Sequence, residues 1–155
     1  MATTLTVTIL RDPANPGQLK VSNSALETKP AKNHAVCWTC GVGEFAVLFK
    51  NDRSPFKNGA KALAANSGDT TPARLIRNLT SGEKGFPKGD PLNGATFPYG
   101  VAVLDATTNA IMTLDPDVII DDPGGGGGPK KKKANAKKSG AKKGGARAKK
   151  SGTRR

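Results

Sequence analysis

The first patterned segment is TTLTVTIL, residues 3–10, in which Leu5, Val7 and Ile9 alternate with threonines. A period of two places the apolar set on one face of a half-buried strand. Asp12-Pro13 and Asn15-Pro16-Gly17 then form a turn, because proline presets φ and glycine allows the positive φ that closes it. Residues 18–22 read as a second, shorter strand. Residues 23–33 contain Pro30 and read as an irregular connection, with Ala25 and Leu26 as a short strand or turn within it.

The segment from His34 to Phe56 gathers the single Trp, the single His, both Cys and three of the five Phe. Its pattern predicts a strand over residues 35–39, a tight turn at Cys40-Gly41-Val42-Gly43, and an antiparallel partner over 44–50 with Phe45, Val47 and Phe49 on one face. Trp38, Phe45, Val47, Phe49 and Phe56 are therefore the expected core of a hairpin. Residues 61–66 (KALAAN) are the one plausible helical turn, and residues 73–79 read as a strand or short helix. Residues 97–104 alternate again, residues 110–114 pair back across a polar turn, and Val118-Ile119-Ile120 make a last strand after Asp115-Pro116. About seven short strands divided by Gly, Pro and Asp turns predict an all-β protein, an antiparallel β-sandwich of Ig-like or cupredoxin-like outline.

The pattern stops at Asp121-Asp122-Pro123. Residues 124–128 are five glycines, with no side chain to bury and much backbone entropy to lose, so residues 123–129 read as a linker between a domain at 1–122 and a tail at 130–155. The tail uses only Lys, Arg, Ala, Gly, Ser, Asn and Thr, cannot form a core and is expected to be disordered. Extended, it would reach on the order of 80 Å.

Charge divides at the same place. The 25 Lys and Arg split into 12 before residue 130 and 13 after it, while all 12 acidic residues precede it. The body is neutral and the whole net charge of +13 belongs to the tail. Lys130, Lys131, Lys132, Lys133, Lys137, Lys138, Lys142, Lys143, Arg147, Lys149, Lys150, Arg154 and Arg155 are accordingly the candidate contacts to nucleic acid. Lysine pairs spaced by small residues suit tracking a phosphate backbone without reading bases. The same charge would also adhere to another polyanion, such as an acidic protein or an anionic membrane surface.

Catalytic chemistry is thinly represented. Cys37 and Cys40 form a C-x-x-C with His34 three residues before it. A tetrahedral structural zinc needs four ligands, and the chain has no second C-x-x-C or paired histidines to complete the set. On a strand, positions three apart face opposite sides, so the three converge only if the backbone turns at Cys40. A thioredoxin-type cysteine sits at a helix N-terminus, whereas this one leads into Gly41-Val42-Gly43. A blue-copper centre requires two histidines. No cofactor and no catalytic residue are expected, and His34, Cys37 and Cys40 stand as the only metal or redox candidates. The five-glycine run lacks the Gly-Lys-Ser/Thr that closes a P-loop.

The N-terminus lacks the basic and continuous apolar regions of a signal peptide, and no run approaches the roughly 20 apolar residues of a membrane span. A cytoplasmic setting with reduced cysteines is expected, with the nucleoid as the place a DNA-bound tail would put it.

Trp38, Phe45-Ala46-Val47-Leu48-Phe49, Ser54-Pro55-Phe56, Tyr99-Gly100-Val101-Ala102-Val103 and the run from Leu114 to Asp121 together resemble a set of small uncharacterised bacterial β-sandwich proteins of cupredoxin-like outline, the DP-EP family. The resemblance extends over most of residues 3–122. It implies a fold and brings no catalytic residues with it. The tail, by composition alone, resembles those of linker histones and bacterial histone-like proteins.

These readings converge on a non-enzymatic binding module tethered by its tail, its body binding an unidentified protein or small ligand. The alternatives are a small redox or metal protein using the C-x-x-C, and an adaptor whose tail binds a different acidic partner.

Overall fold

The computed structural model describes residues 1–85 and 94–122, and within them nearly every ordered element is a strand. The ten strands are β1 (Thr3–Arg11), β2 (Leu19–Val21), β3 (Ala25–Thr28), β4 (His34–Cys40), β5 (Gly43–Phe49), β6 (Ala62–Ala65), β7 (Arg74–Leu75), β8 (Gly94–Asp105), β9 (Ile111–Leu114) and β10 (Asp117–Asp121). One 3₁₀ turn, Pro30–Lys32, precedes β4. The linker and tail, residues 123–155, lie outside the described residues.

Two sheets face each other. The first has the order β2-β1-β4-β7 and the second β3-β10-β8-β5-β6, with β9 also paired to β8. Strand β8 is long enough to hold β10 along its first half and β9 along its second. Asp115-Pro116 separates those two partners, because proline has no N–H for the ladder. The all-β, two-sheet expectation holds, and most pairings are antiparallel. Two are not: β1 runs parallel to β4, and β10 parallel to β3. A parallel pair needs a long crossover. The segment between β1 and β4 is such a crossover, passing through β2, the other sheet at β3 and the 3₁₀ turn.

The expected hairpin across Cys40-Gly41-Val42-Gly43 is replaced by a corner between the sheets. Both edges of β4 are occupied elsewhere. Strand β1 pairs along one side, while the Gly68 and Thr71 N–H groups donate to the Cys40 and Trp38 carbonyls on the other, beside β7. Strand β5 is likewise taken by β6 and β8. Gly43 makes the corner possible: a Cβ there would lie 1.8 Å from the Leu104 carbonyl oxygen. The KALAAN segment is strand β6 rather than a helical turn. So short a helix cannot nucleate, whereas the free edge of β5 supplies a ladder that also buries Leu63.

The core lies where the two inner faces meet. Trp38 of β4 has no exposed surface, and its ring packs edge-on to Phe49, Phe56 and Tyr99 with centroids 6.1, 6.1 and 5.6 Å away. Val7, Ile9, Val36, Val47, Val101, Val103, Val118 and Ile120 close around this cluster. The Trp38 indole nitrogen and the Tyr99 hydroxyl are both buried and form no regular hydrogen bond among the described residues. Burial pushes the Tyr99 hydroxyl up to about 12, the Trp38 N–H opposes this, and the charge of Asp117 adds to it.

At one end of the sandwich Asp105, almost wholly buried, ties the sheets together. Its carboxylate accepts from the Thr107 and Thr108 N–H groups of the β8–β9 turn and from the Arg11 guanidinium at 2.5 Å. Those backbone and arginine donors hold its pKa at about 2. Because the folded pKa is depressed, the stabilisation is present above the ordinary carboxylate range and disappears as pH falls through the folded value.

Two stability measurements follow from this packing. Tyr99→Phe removes a buried hydroxyl that the Trp38 N–H faces outside regular hydrogen-bond geometry and should change stability by no more than ~1 kcal/mol in urea unfolding, whereas Trp38→Ala should cost about 3–5 kcal/mol. Asp105→Asn should lower the melting temperature at pH 7 and flatten the loss of stability of the wild type between about pH 4 and pH 2; an unchanged acid limb would show that the carboxylate does not act this way.

Candidate functional site: the C-x-x-C strand and an apolar sheet face

Strand β4 presents His34, Cys37 and Cys40 along a straight ladder, and the turn that would draw them together is absent. Backbone alternation puts Cys37 on the face opposite to His34 and Cys40. Six residues of strand separate His34 from Cys40, about 20 Å. Cys40 is fully buried in the core, beside Ile9 of β1 in the ladder. Cys37 is buried on the outer side, with its sulfur 3.4 Å from the Thr6 hydroxyl and 3.9 Å from the Leu5 carbonyl oxygen. Both thiols are free. Among the described residues no three His, Cys, Asp or Glu side chains come together in a way that could hold a metal.

His34 has a local structural task. Its Nδ1 accepts from the Lys29 backbone N–H at 3.1 Å, which closes the loop over the 3₁₀ turn. Asn33, in the left-handed region at φ 50, delivers the chain into β4. Partial burial, then the nearby charges of Lys32 and Lys29, lower the His34 pKa from its ordinary 6.5. An accepting Nδ1 and a disfavoured cation describe a neutral imidazole that stabilises a loop.

A second polar cluster escapes any reading of isolated motifs. Arg77 makes a two-pronged pair with Glu83, at 2.7 and 2.5 Å, and Glu83 also accepts from the Thr80 N–H and hydroxyl. The arginine bond, then the Thr80 donors, hold Glu83 at about 2 against the opposing effect of burial. The guanidinium groups of Arg53 and Arg77 lie 4.5 and 5.5 Å from the centre of the Phe97 ring. The spacing Thr80-Ser81-Gly82-Glu83 is the sequence signal for one arm of a capping box, the Glu83 carboxylate reaching back to the Thr80 N–H, while the Glu83 N–H bonds the Thr80 backbone carbonyl. This cluster fastens the loop after β7 to β8.

The most exposed apolar feature is the outer face of the second sheet. Successive cross-strand rows read Ala62-Leu48-Gly100, Ala64-Ala46-Ala102-Thr113 and Glu44-Leu104-Ile111. The middle row is the floor of an open trough of about 530 Å³. Leu104 and Ile111 border it and Leu48 stands one row away on the same face; at 39, 74 and 58 % exposed they are three of the six large hydrophobic side chains exposed among the described residues. Lys50 and Asp115 pair at 2.8 Å and cross above Gly100, where a Cβ would already touch both side chains. The signal for this face was present in the sequence, since β5 and β8 carry small or apolar residues at both alternating sets of positions.

The thirteen basic residues from Lys130 to Arg155 lie outside the described residues. Among the described residues no helix is long and apolar enough to cross a membrane. In comparison with known proteins, the chain matches no family model and no curated relative.

His34 is the only histidine, so a single imidazole signal reports it in a proton NMR titration. Its midpoint should fall below 6.5, and the loop should loosen as pH drops through that midpoint, because the folded state binds the proton less readily than the unfolded chain. A midpoint at or above 6.5 would contradict the burial described. Both cysteines should also resist a thiol reagent in the folded protein and react fully in denaturant.

Proposed function

We propose that this chain is a non-enzymatic, two-part binding protein: a β-sandwich module held on nucleic acid by its polycationic tail, without choice of sequence. The observation that carries this reading is the segregation of charge, with a neutral body through residue 129 and thirteen cations with no acid from Lys130 onward. A phosphate backbone is the most abundant polyanion such a tail would meet, and neutralising it releases counterions, a gain that requires no folded interface. The placing of Cys37 and Cys40 on opposite faces of β4, both buried, and the bond that commits His34 to its loop support a binding role over a redox one. The resemblance to the small bacterial β-sandwich proteins belongs to this proposal, supported by the order of Trp38, the Phe45 to Phe49 strand and the Tyr99 to Val103 strand, as does a cytoplasmic, nucleoid-associated location.

A titration of duplex DNA at several salt concentrations tests the tether. Affinity should fall steeply, with a log-log slope of about −0.9 for each phosphate neutralised. Deleting residues 124–155 should abolish binding, and replacing only the tail lysines and arginines by glutamine should do the same. Binding that survives either change would move the site onto the sandwich. Stronger retention on anionic vesicles than on DNA at equal salt would assign the tail to a membrane surface instead.

A further inference from the structure

We propose that the outer face of the β6-β5-β8-β9 layer is a self-complementary surface that pairs two copies of this chain. The face carries both knobs and a hole. Leu48 projects from β5 one row away from the trough floored by Ala46, Ala64 and Ala102. Strand register states what a two-fold axis would do. An axis lying between the copies, across the strands and over Val47, exchanges position 46 with 48 and position 44 with 50 along β5. Each Leu48 then enters the other copy's alanine trough, and each Glu44 meets the other copy's Lys50, which Asp115 already pairs at 2.8 Å within its own copy, so that the lysine bridges two carboxylates. The small residues let the two sheets approach, the leucines fill the space between them, and the charges choose the antiparallel arrangement over the parallel one. A two-fold pairing of this kind uses the same patch on both copies and closes on itself, so it stops at a dimer.

The size of the face sets the strength. Four strands about 4.8 Å apart and five residues of about 3.3 Å each cover roughly 300 Å² in plan, well below the ~800 Å² per partner of a standard stable interface. The pair is therefore weak, with half-association expected between about 10 μM and 1 mM. It does not depend on what the tail binds. If the tail does bind nucleic acid, each dimer brings two tails to the same strand and gains avidity without a new contact.

Sedimentation of the full chain over that concentration range, in about 0.3 M salt to screen tail repulsion, should show a monomer of 16.0 kDa passing to twice that mass. Leu48→Lys should hold the protein monomeric with an unchanged circular dichroism spectrum, since the side chain it replaces is largely exposed. In an Asp115→Asn background, Glu44→Lys should weaken association at least several-fold, and the combined Glu44→Lys and Lys50→Glu exchange should restore it. A monomer at every concentration, an open-ended assembly, a dimer indifferent to Leu48→Lys, or no recovery in the charge exchange would each overturn the proposal.

Discussion

The structure depends on one constraint, the enclosure of Trp38 between two sheets that are both needed to cover it. An indole offers more apolar surface than one sheet face can remove from water, and here Phe49 and Tyr99 of the second sheet and Phe56 of the following loop complete the enclosure. Phe49 and Phe56 also meet edge-on at 5.2 Å. The corner at Gly41-Val42 follows from this. If β4 and β5 lay side by side in one sheet, Trp38 and Phe49 would share a face instead of opposing each other. Gly43 lets the chain turn within that distance, because only a residue without Cβ fits against the Leu104 carbonyl.

Around that core the polar groups serve the architecture. Asp105 with Arg11, and Glu83 with Arg77, each join segments far apart in sequence or hold a loop against a strand. His34 seals the entry to β4. These groups are committed to the fold, and among the described residues the most distinctive part of the exterior is the apolar trough on the outer face of the second sheet. The net charge is concentrated beyond the body, with thirteen cations and no acid from Lys130 onward, so apolar pattern and excess charge are segregated along the chain.

The sequence made much of this legible. Period-two alternation located β1, β5 and β8 because each has one face buried, and burial selects apolar residues at every second position, while β10 was marked by its apolar run after Asp115-Pro116. The same logic named Trp38, Phe45, Val47, Phe49 and Phe56 as core. It failed at KALAAN, where alanine and leucine are good helix formers and only the neighbouring edge of β5 makes a strand preferable. It failed also at Cys40 to Gly43, since a short glycine-rich connection reads as a hairpin whether its two strands are partners or lie in opposite sheets. The Arg77–Glu83 cap and the apolar outer face were written in local spacing and alternation, but each acquires meaning only from neighbours distant in the chain.

By itself, then, the sequence determined the class of fold, the identity of the core, the neutrality of the body and the concentration of charge after residue 129, because these are properties of composition and of local period. Tertiary structure alone decided which strands pair, that β1 and β4 run parallel, that the C-x-x-C lies along a straight strand with its thiols on opposite faces, and that Ala46, Ala64, Ala102, Leu48 and Ile111 share one surface. Those facts concern residues brought together across long separations, and a ladder of backbone hydrogen bonds, identical in chemistry at every position, leaves no mark in the side chains of which partner it has chosen.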